Sequence, residues 1–277
     1  MSQTLTVVKV GGAVVEDPAS LSVLLDGFER IEGAKVLVHG GGRSATRLAT
    51  RLGLTQTMVG GRRVTDAETL DVVTMVYGGL VNKQIVAGLQ ARGVDAIGLT
   101  GADGDAIRSR QRPPVRVADP EVPGGARVVD YGWVGDVERV RASWLADLIA
   151  DGAVPVVAPL THDGAGHLLN TNADTIASAV ACALAAEGAG AWDVTLTYCF
   201  ERRGVLRDPE GPDAQDNVIP HIAASELPAL VASGTVAGGM LPKLENAFAA
   251  LRAGVKHVVI TRSDCLREPH SGTELSL

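Results

Sequence analysis

The sequence has little of what disulfide-bonded or zinc-binding proteins need. Only three cysteines, Cys182, Cys199 and Cys265, occur among its 277 residues, and none forms a Cys-x-x-Cys pair. An odd number of widely spaced cysteines disfavours both a disulfide framework and a zinc cluster. We therefore expect the three thiols to be reduced and mostly buried.

Positive charge and long apolar runs are also scarce. The chain has 25 Lys and Arg against 32 Asp and Glu, so no general basic field is available to hold a nucleic acid. Small phosphorylated ligands are more compatible with this negative net charge than a nucleic acid is. The N-terminal residues lack the basic start and apolar run of a signal peptide, and no uninterrupted apolar stretch reaches membrane-spanning length. These absences predict a soluble cytoplasmic protein without nucleic-acid or membrane partners.

What the sequence does have is a large apolar fraction in an alternating pattern. With 46% hydrophobic and 21% charged residues, the chain can bury a substantial core as one large or two closely joined domains. Apolar β-branched runs alternate with helical patterns, which predicts an α/β fold with helices on both faces of a sheet. The predicted strands are residues 5–10, 35–39, 94–99, 154–158, 193–198 and 255–261.

Capping residues and glycines mark where the helices begin. Asp17 followed by Pro18 predicts the start of the first helix, and Asp66 predicts the cap of a long one. Turn-forming residues predict the connections between elements. The other predicted elements are helices after Gly42 and over residues 141–150 and 173–186, two short strands within residues 58–64, an irregular surface hairpin over residues 108–135, and a long loop over residues 201–220.

Two lysines far apart in the sequence each accompany a glycine turn. Lys9 ends the first predicted strand just before a Gly-Gly pair, and Lys243 follows another such pair at the start of a helix. Between them lie the His-Gly-Gly-Gly turn of residues 39–42 and the polar cluster of residues 170–174. Backbone N–H groups freed by glycine turns at strand ends and helix starts bind anions. Phosphoryl transfer is therefore the first hypothesis.

A dinucleotide-binding fingerprint is the competing interpretation of one of these turns. Gly40, Gly42 and Ala45 satisfy G-x-G-x-x-A between a strand and a helix. The match is weak, because that fingerprint normally follows the first strand and precedes a ribose-binding acid by about 20 residues. Here the corresponding stretch ends in the basic pair Arg62 and Arg63. The earlier glycine turn also stays unexplained, which disfavours a dehydrogenase.

Five motifs, in this order, resemble those of the acetylglutamate kinases in the amino acid kinase superfamily. They are Lys9-Val10-Gly11-Gly12, His39-Gly40-Gly41-Gly42, Gly61-Arg62-Arg63-Val64-Thr65, Asn170-Thr171-Asn172-Ala173-Asp174 and Gly239-Met240-Leu241-Pro242-Lys243. The resemblance implies a three-layer αβα sandwich with a mainly parallel sheet, an acyl-amino-acid lobe of residues 1–175 and an ATP lobe of residues 176–277. The implied reaction transfers the γ-phosphoryl group of MgATP to the side-chain carboxylate of N-acetyl-L-glutamate, in arginine biosynthesis.

The resemblance also implies roles for individual residues. Lys9 would contact the transferring phosphoryl group and Lys243 the leaving side of the nucleotide, with Asp174 holding the two ammonium groups in place. A carboxylate nucleophile is already ionised at pH 7, so alignment and charge neutralisation suffice without a general base. The implied substrate-binding residues are Gly41, Gly42, Arg63 (on the α-carboxylate), Asn170 (on the acyl-amino group) and Asn172; the implied nucleotide-binding residues are Lys9, Gly12, Glu201, Gly239 and Lys243. Mg²⁺ is implied with ATP, and no protein residue is predicted as its ligand.

One position departs from the family pattern. The family has an aspartate three residues before a glycine in the nucleotide lobe, and counting back from Gly204 gives Glu201. This leaves open how the nucleotide side is organised, with Asp208 as an alternative carboxylate. His39 is predicted to be a structural histidine at a strand end, and residues 198–200 are predicted to pack at another.

The motifs specify the acyl group of the substrate and the assembly less closely. An N-succinylglutamate substrate would require a further cation to bind its extra carboxylate. Arg43 is the candidate, although we favour its interpretation as a surface charge. Arg62 is less suited to this role, because adjacent strand residues face opposite sides and it is predicted to face away from Arg63. The same motifs also permit an acyl-aminoadipate kinase or a catalytically silent amino-acid or nucleotide sensor. Arginine-inhibited family members carry an extra helix before the first strand, whereas this strand starts within about five residues of Met1, which predicts an arginine-insensitive homodimer.

Overall fold

A computed structural model of the protein describes residues 3–118, 125–187, 192–266, 268 and 271–277. The strands are β1 Gln3–Val10, β2 Ala34–His39, β3 Met58–Val59, β4 Arg62–Arg63, β5 Ala96–Leu99, β6 Ile107–Gln111, β7 Val115–Ala118, β8 Ala126–Val129, β9 Gly135–Val140, β10 Val154–Val157, β11 Leu160–His162, β12 Leu168–Asn170, β13 Trp192–Phe200, β14 His221–Ala223, β15 His257–Arg262 and β16 Thr273–Ser276. The α-helices are α1 Gly12–Glu16, α2 Pro18–Glu29, α3 Gly42–Arg51, α4 Ala67–Val73, α5 Asn82–Gln90, α6 Ala142–Ala150, α7 Ala173–Ala186, α8 Leu227–Ala232 and α9 Met240–Arg252.

An eight-stranded sheet forms the middle layer, in the order β14-β16-β15-β13-β1-β2-β10-β5. Its pairings are parallel except for the one between β15 and β16. One face packs against α6, α7 and α9, and the other against α2, α3 and α5. The predicted three-layer αβα sandwich with a mainly parallel sheet is confirmed. The sheet is continuous across the predicted lobe boundary near residue 175, and that boundary stays a prediction.

The central strand β1 shows why these sequences become buried parallel strands. Leu5 and Val7 enter one core, and Val8 and Val10 enter the other. All four side chains are fully buried. A strand covered by helices on both faces must be apolar on both, which gives the near-continuous apolar run seen in its sequence.

Parallel pairing brings the ends of the central strands to one edge of the sheet. Val10 pairs with His39 of β2 and with Cys199 of β13, so the three strands finish side by side. The segments that follow them are the two glycine turns and the loop that begins at Glu201. In open α/β sheets this carboxyl edge is where ligands bind.

The hairpin predicted over residues 108–135 is found, with β7 antiparallel to β8 and β6 antiparallel to β9, but it consists of regular strands. It contains most of β6, all of β7 and β8, and the start of β9, while residues 119–124 lie outside the described residues. β6 and β9 join β11 and β12 in a four-stranded sheet, and β7 pairs with β8 alone. These strands are short and carry exposed charges such as Arg110, so their local apolar pattern is weak. Among the strands that the structure describes, only the pairing of β6 with β11 joins the segment to a more distant part of the chain.

The helical segment Ala67–Gln90 passes through α4, the π-helical turn Thr74–Val81 and α5. Its length and mean hydropathy, 1.3 over 18 residues, resemble those of a membrane-crossing helix. Its buried side chains, including Val73 and Ile85, pack in the core beneath the sheet. Burial inside the protein therefore accounts for part of the hydropathy of this segment, since 44% of the apolar window is buried. As predicted, Asp66 caps its start by accepting a hydrogen bond of 2.8 Å from the Thr69 N–H.

Candidate active site

Two lysines and one aspartate from distant parts of the sequence meet at the carboxyl edge of the sheet. The Nζ atom of Lys9, on β1, lies 2.7 Å from Oδ1 of Asp174, in the first turn of α7. The Nζ atoms of Lys9 and Lys243 lie 4.9 and 3.5 Å from the centroid of the same Phe200 ring. These two distances sum to 8.4 Å, which is the largest separation the two ammonium groups can have. The structure thus brings the three predicted catalytic residues together.

Bringing two ammonium groups this close requires compensation. Two unit charges at such a distance repel by about 2 kcal/mol at an effective dielectric constant of about 20. The pKa of Lys243 is lowered, first by burial and also by Lys9, while Asp174 and Glu201 act in the opposite direction. Asp174 is the carboxylate bonded to Lys9, and it acts on Lys243 as well. A carboxylate in this position can hold the two ammonium groups close together.

The two glycine turns lie against each other beside these cations. A Cβ atom added to Gly40 would lie 3.0 Å from the backbone nitrogen of Gly12, and one added to Gly12 would lie 3.3 Å from that of Gly41. Larger residues would push the turns apart. The N-cap residue of α3, Gly41, supplies no side-chain cap, but the Glu16 carboxylate accepts a hydrogen bond from the Ser44 N–H in the first turn. Among the described residues, no side chain bonds the N–H groups of Gly42 and Arg43, and these two remain available to an anion.

His39 supports the second glycine turn from inside the protein. Its Nδ1 lies 2.8 Å from the carbonyl oxygen of Gly40, and its Nε2 lies 3.2 Å from Nδ2 of Asn82. The side chain is fully buried, and this burial lowers the pKa of His39 to about 4. The prediction of a structural, hydrogen-bonded strand-end histidine is confirmed.

A first cavity, which we call the acyl cavity, opens beside this turn. Its lining includes Gly41, Gly42, Arg63, Asn170 and Asn172, which are the five residues predicted to bind the substrate. The structure therefore gathers them around one space. Their contact with a ligand stays a prediction.

Arg63 is the principal buried cation of the acyl cavity. Its guanidinium donates hydrogen bonds of 2.9 Å to the carbonyl oxygen of Gly42 and to Oγ1 of Thr46, and it also bonds Oε1 of Gln56. The residue is 7% exposed. In the part of the chain that the structure describes, no carboxylate pairs with it. A buried cation without a carboxylate is suited to receive an anionic group from a ligand.

The two asparagines of the acyl cavity differ in what they leave free. Nδ2 of Asn170 donates 2.9 Å to Oγ1 of Thr65, and its oxygen has no partner among the described residues. Oδ1 of Asn172 caps α7, accepting from the N–H groups of Asp174 and Thr175 at 2.9 and 3.1 Å. Asn170 therefore keeps an acceptor for a ligand, and Asn172 keeps only its amide donors.

A second space, which we call the nucleotide cleft, adjoins the first at Gly42. Its lining includes Lys9, Gly12, Asp174, Glu201 and Lys243, and Gly42 lines both spaces. The two spaces thus meet next to the lysines. Gly239 precedes Met240, which lines the cleft at the start of α9. The alternative carboxylate, Asp208, instead accepts a hydrogen bond of 3.0 Å from the Glu210 N–H in a turn.

The two adjacent arginines Arg62 and Arg63 both line the acyl cavity but have different neighbours. Arg62 is acted on by Arg112, Asp136 and Tyr131, none of which is a hydrogen-bond partner of Arg63. That the two side chains face opposite sides stays a prediction. Arg43 lines the nucleotide cleft, where it forms an exposed ion pair of 3.4 Å with Glu201.

Bound Mg²⁺ usually takes one or two carboxylates together with phosphate oxygens and water. The nucleotide cleft offers Asp174 and Glu201 as its carboxylates. Within the described residues, no group of three or more His, Cys, Asp and Glu side chains could hold a metal. This donor set suits an ion that enters with a nucleotide rather than one held by the protein alone.

The fold and the site belong to a known class of enzyme. The family model for the amino acid kinase family matches residues 4–262, so the protein is a kinase of that family, and membership implies the use of ATP. Over 275 residues, the chain is 59% identical to the acetylglutamate kinase of Bacteroides thetaiotaomicron, covering 99% of each chain. Within the amino acid kinases, the chain belongs to the acetylglutamate kinase family.

Solved structures share the fold. The smu.665 protein of Streptococcus mutans superposes with a TM-score of 0.74 at 25% identity, covering 98% of both chains. Carbamate kinase from Giardia lamblia, solved with bound AMP-PNP, gives a TM-score of 0.67 at 15% identity, covering 99% of this chain and 98% of its own. The second likeness is a likeness of fold alone.

Burial of His39 predicts a pH dependence of stability. Its pKa falls from 6.5 to about 4 on folding, so the unfolded chain binds the extra proton between these pH values. The free energy of unfolding should therefore decrease as pH falls from about 6.5 to about 4, by at most about 3 kcal/mol from this group. Urea unfolding at a series of pH values, compared with His39→Gln and His39→Asn, measures the contribution. An unchanged pH slope in both folded variants would contradict it.

Proposed function

We propose that the protein transfers the γ-phosphoryl group of ATP to the side-chain carboxylate of N-acetyl-L-glutamate, forming an acyl phosphate in arginine biosynthesis. The observation that carries this proposal is the meeting of Lys9, Asp174 and Lys243 where the acyl cavity and the nucleotide cleft adjoin. The names of the similar proteins favour the same reaction. The free cysteines, two of them buried, favour a reducing cytoplasm as its location.

The acyl cavity offers a group for each polar part of the substrate. The Arg63 guanidinium binds the α-carboxylate through the donors that its protein partners leave free. The free oxygen of Asn170 accepts a hydrogen bond from the N–H of the acyl-amino group. With both ends held, the side-chain carboxylate points towards Gly42, where the nucleotide cleft begins.

The nucleotide cleft neutralises charge on the transferring group. Gly12, Gly41 and Gly42 present backbone N–H groups to the phosphoryl oxygens, Lys9 contacts the transferring group, and Lys243 contacts the leaving side. Gly239 and Glu201 border the nucleotide on the α9 side and at the mouth of the cleft. Bound Mg²⁺ would supply further positive charge, with Glu201 and Asp174 as the carboxylates within the cleft. Because the nucleophile is already ionised, no residue needs to remove a proton from it.

Removing Lys9 should disable the reaction without unfolding the protein. Loss of one preorganised charge-stabilising donor typically lowers turnover by roughly 10²–10³-fold, and we expect a loss of this size for Lys9→Ala. Lys256→Ala, at an exposed position beyond α9, is the matched control. Turnover is measured as ADP release, with hydroxylamine trapping the acyl phosphate. Near-normal activity of Lys9→Ala would remove Lys9 from the mechanism.

The same assay, run on a panel of acyl-amino acids, separates the remaining candidate functions. Turnover of an N-acyl-aminoadipate in preference to N-acetylglutamate would indicate that related kinase activity. Tight ATP binding without turnover on any panel member would indicate a sensor.

A second candidate substrate, N-succinylglutamate, is favoured by the position of Arg62. This arginine is half-buried beside the acyl cavity, and no ion pair or hydrogen bond to it is found among the described residues. Asp136, the carboxylate that acts on it, is already bonded to Arg112 at 3.0 Å. Burial and the nearby Arg112 lower the pKa of Arg62, so an additional anion in the cavity would be stabilised there. A succinyl group carries such an anion, and an acetyl group does not.

The two acyl groups should respond differently to Arg62→Gln. We expect KM for N-succinylglutamate to rise by about 10-fold or more, and KM for N-acetylglutamate to change much less, because only the succinyl group has a second carboxylate. Arg43→Gln is the control, since Arg43 lies in the other space. Steady-state kinetics with both substrates also shows which one the unmodified enzyme prefers. Equal effects on both would exclude Arg62 as the acyl-group determinant.

We further propose that the enzyme is a homodimer, formed through the helical segment Ala67–Gln90. Met75 and Leu80 are 54% and 53% exposed on it. They lie in the π-helical turn Thr74–Val81, whose hydrogen bonds join residues five apart, so both side chains lie on one side. The adjoining edge strand β5 adds Ile97, which is 38% exposed. Exposed apolar side chains on this segment, and on a sheet edge that is unpaired among the described residues, favour association with a second copy.

Charge placed on this surface should separate the subunits. We expect the unmodified protein to have twice the mass of one chain by light scattering, and Met75→Glu with Leu80→Glu to have the mass of one chain. Leu52→Glu, also at an exposed leucine but at the end of α3, should leave the dimer intact. A monomeric or hexameric unmodified protein would contradict the proposal, as would an unchanged mass in the double variant.

A further inference from the structure

The ring of Phe200 lies against both ammonium groups of the site. Phe200 is the last residue of β13 and lines the nucleotide cleft. Its ring centroid is 3.5 Å from Nζ of Lys243 and 4.9 Å from Nζ of Lys9. The ring is stacked with that of the fully buried Tyr198, at 6.0 Å between centroids and 7° between planes, which fixes its orientation.

The two lysines differ in what else holds them. The Lys9 ammonium has the Asp174 carboxylate at 2.7 Å. For the Lys243 ammonium, no ion pair or hydrogen bond is found within the ranges that the structure describes. At 3.5 Å from the centroid, its contact is with the ring of Phe200. The negative face of an aromatic ring attracts a cation at this distance, and more strongly where water is excluded.

We propose that Phe200 is a positioning residue, whose ring face holds the Lys243 ammonium beside Lys9 in readiness for the nucleotide phosphates. This inference rests on the proposed phosphoryl transfer and adds to it a residue that holds one of its two cations.

A ring has an advantage over a carboxylate at this position. With two lysines and Asp174, the group carries one net positive charge, which is what an incoming polyphosphate needs. A carboxylate bonded to Lys243 would cancel that charge, whereas a neutral ring fixes the ammonium and leaves its charge available. The ring also attracts the charged form of the lysine more strongly than the neutral amine.

The groups around Lys243 determine how a substitution at Phe200 should change the pKa of Lys243. The charged groups that act on it are Lys9 from β1, Asp174 from α7 and Glu201 after β13. Among the described residues of β15 and β16, which also pack against α9, none alters its pKa. Burial already lowers the pKa of Lys243, and the ring opposes this by favouring the ammonium form. Loss of the ring should therefore lower that pKa further.

The first test replaces the ring by an aliphatic side chain. We expect Phe200→Leu to lower kcat/KM by about 10-fold or more and to move the alkaline limb of the pH–rate profile to lower pH. Phe200→Trp, which keeps an aromatic face, should retain more activity and an alkaline limb closer to that of the unmodified enzyme. Thermal unfolding shows whether each variant is folded.

A second test keeps the shape of the ring and changes only its charge distribution. Pentafluorophenylalanine at position 200 has a positive face, so it should reproduce the Phe200→Leu phenotype in a folded protein. The same substitution at Phe248, which is buried on α9, controls for fluorination itself. Normal activity and an unshifted alkaline limb with the fluorinated ring at position 200 would overturn the proposal.

A third readout does not depend on catalysis. The titration of Lys243 in the nucleotide-free protein can be followed from the pH dependence of its reductive methylation, with the site resolved by mass spectrometry. We expect the midpoint to move to lower pH in Phe200→Leu and in the fluorinated variant at position 200. Unmoved midpoints would overturn the inference even if the enzyme is an active kinase. Moved midpoints in a protein that turns over no acyl-amino acid would instead count against the proposed function.

Discussion

The ion pair between Lys9 and Asp174 is the contact on which the arrangement of the site depends. It joins the end of the central strand to the first turn of α7, the helix that packs across that strand. The start of α7 then serves both spaces, because Asn172 and Ala173 line the acyl cavity while Asp174 lines the nucleotide cleft. Under the proposed function, one short segment would therefore set the distance between a bound acyl-amino acid and a bound nucleotide. Both ligands are anions, so this distance must be fixed by the protein.

The distribution of ion pairs shows where the protein keeps positive charge available. The chain has a net charge of −7, and arginines away from the site, such as Arg92 and Arg262, have carboxylate partners. Arg63 and Lys243 have none among the described residues, although both are at least partly buried. Burying a cation without a carboxylate bonded to it costs stability, which an anionic ligand would restore. The protein thus keeps its unpaired buried cations where the proposed substrates carry negative charge.

Much of this could be predicted from the sequence, because the decisive signals are local. The apolar run of β1, the cap at Asp17 and the glycine turn before α3 each specify their own element, and all three are found. The helix capped by Asp17 is the second and not, as predicted, the first, because the short helix α1 precedes it. What could not be predicted depends on the direction of single side chains. The oxygen of Asn172, for example, is used to cap α7 and is not left for a ligand. The placement of Phe200 between two lysines depends on three distant segments at once.

The glutamate at position 201 and the ring at position 200 can be understood together. The longer side chain of Glu201 extends to the mouth of the cleft, where it pairs with Arg43, and both groups are more than 60% exposed. An exposed pair of this kind contributes little stability, so it does not hold the cleft closed. Its carboxylate influences the pKa of Lys243 without bonding to it. Because the Glu201 carboxylate lies outward, the Phe200 ring is the direct contact of the Lys243 ammonium. Under the proposed function, this contact leaves the charge of the ammonium group available to the phosphates.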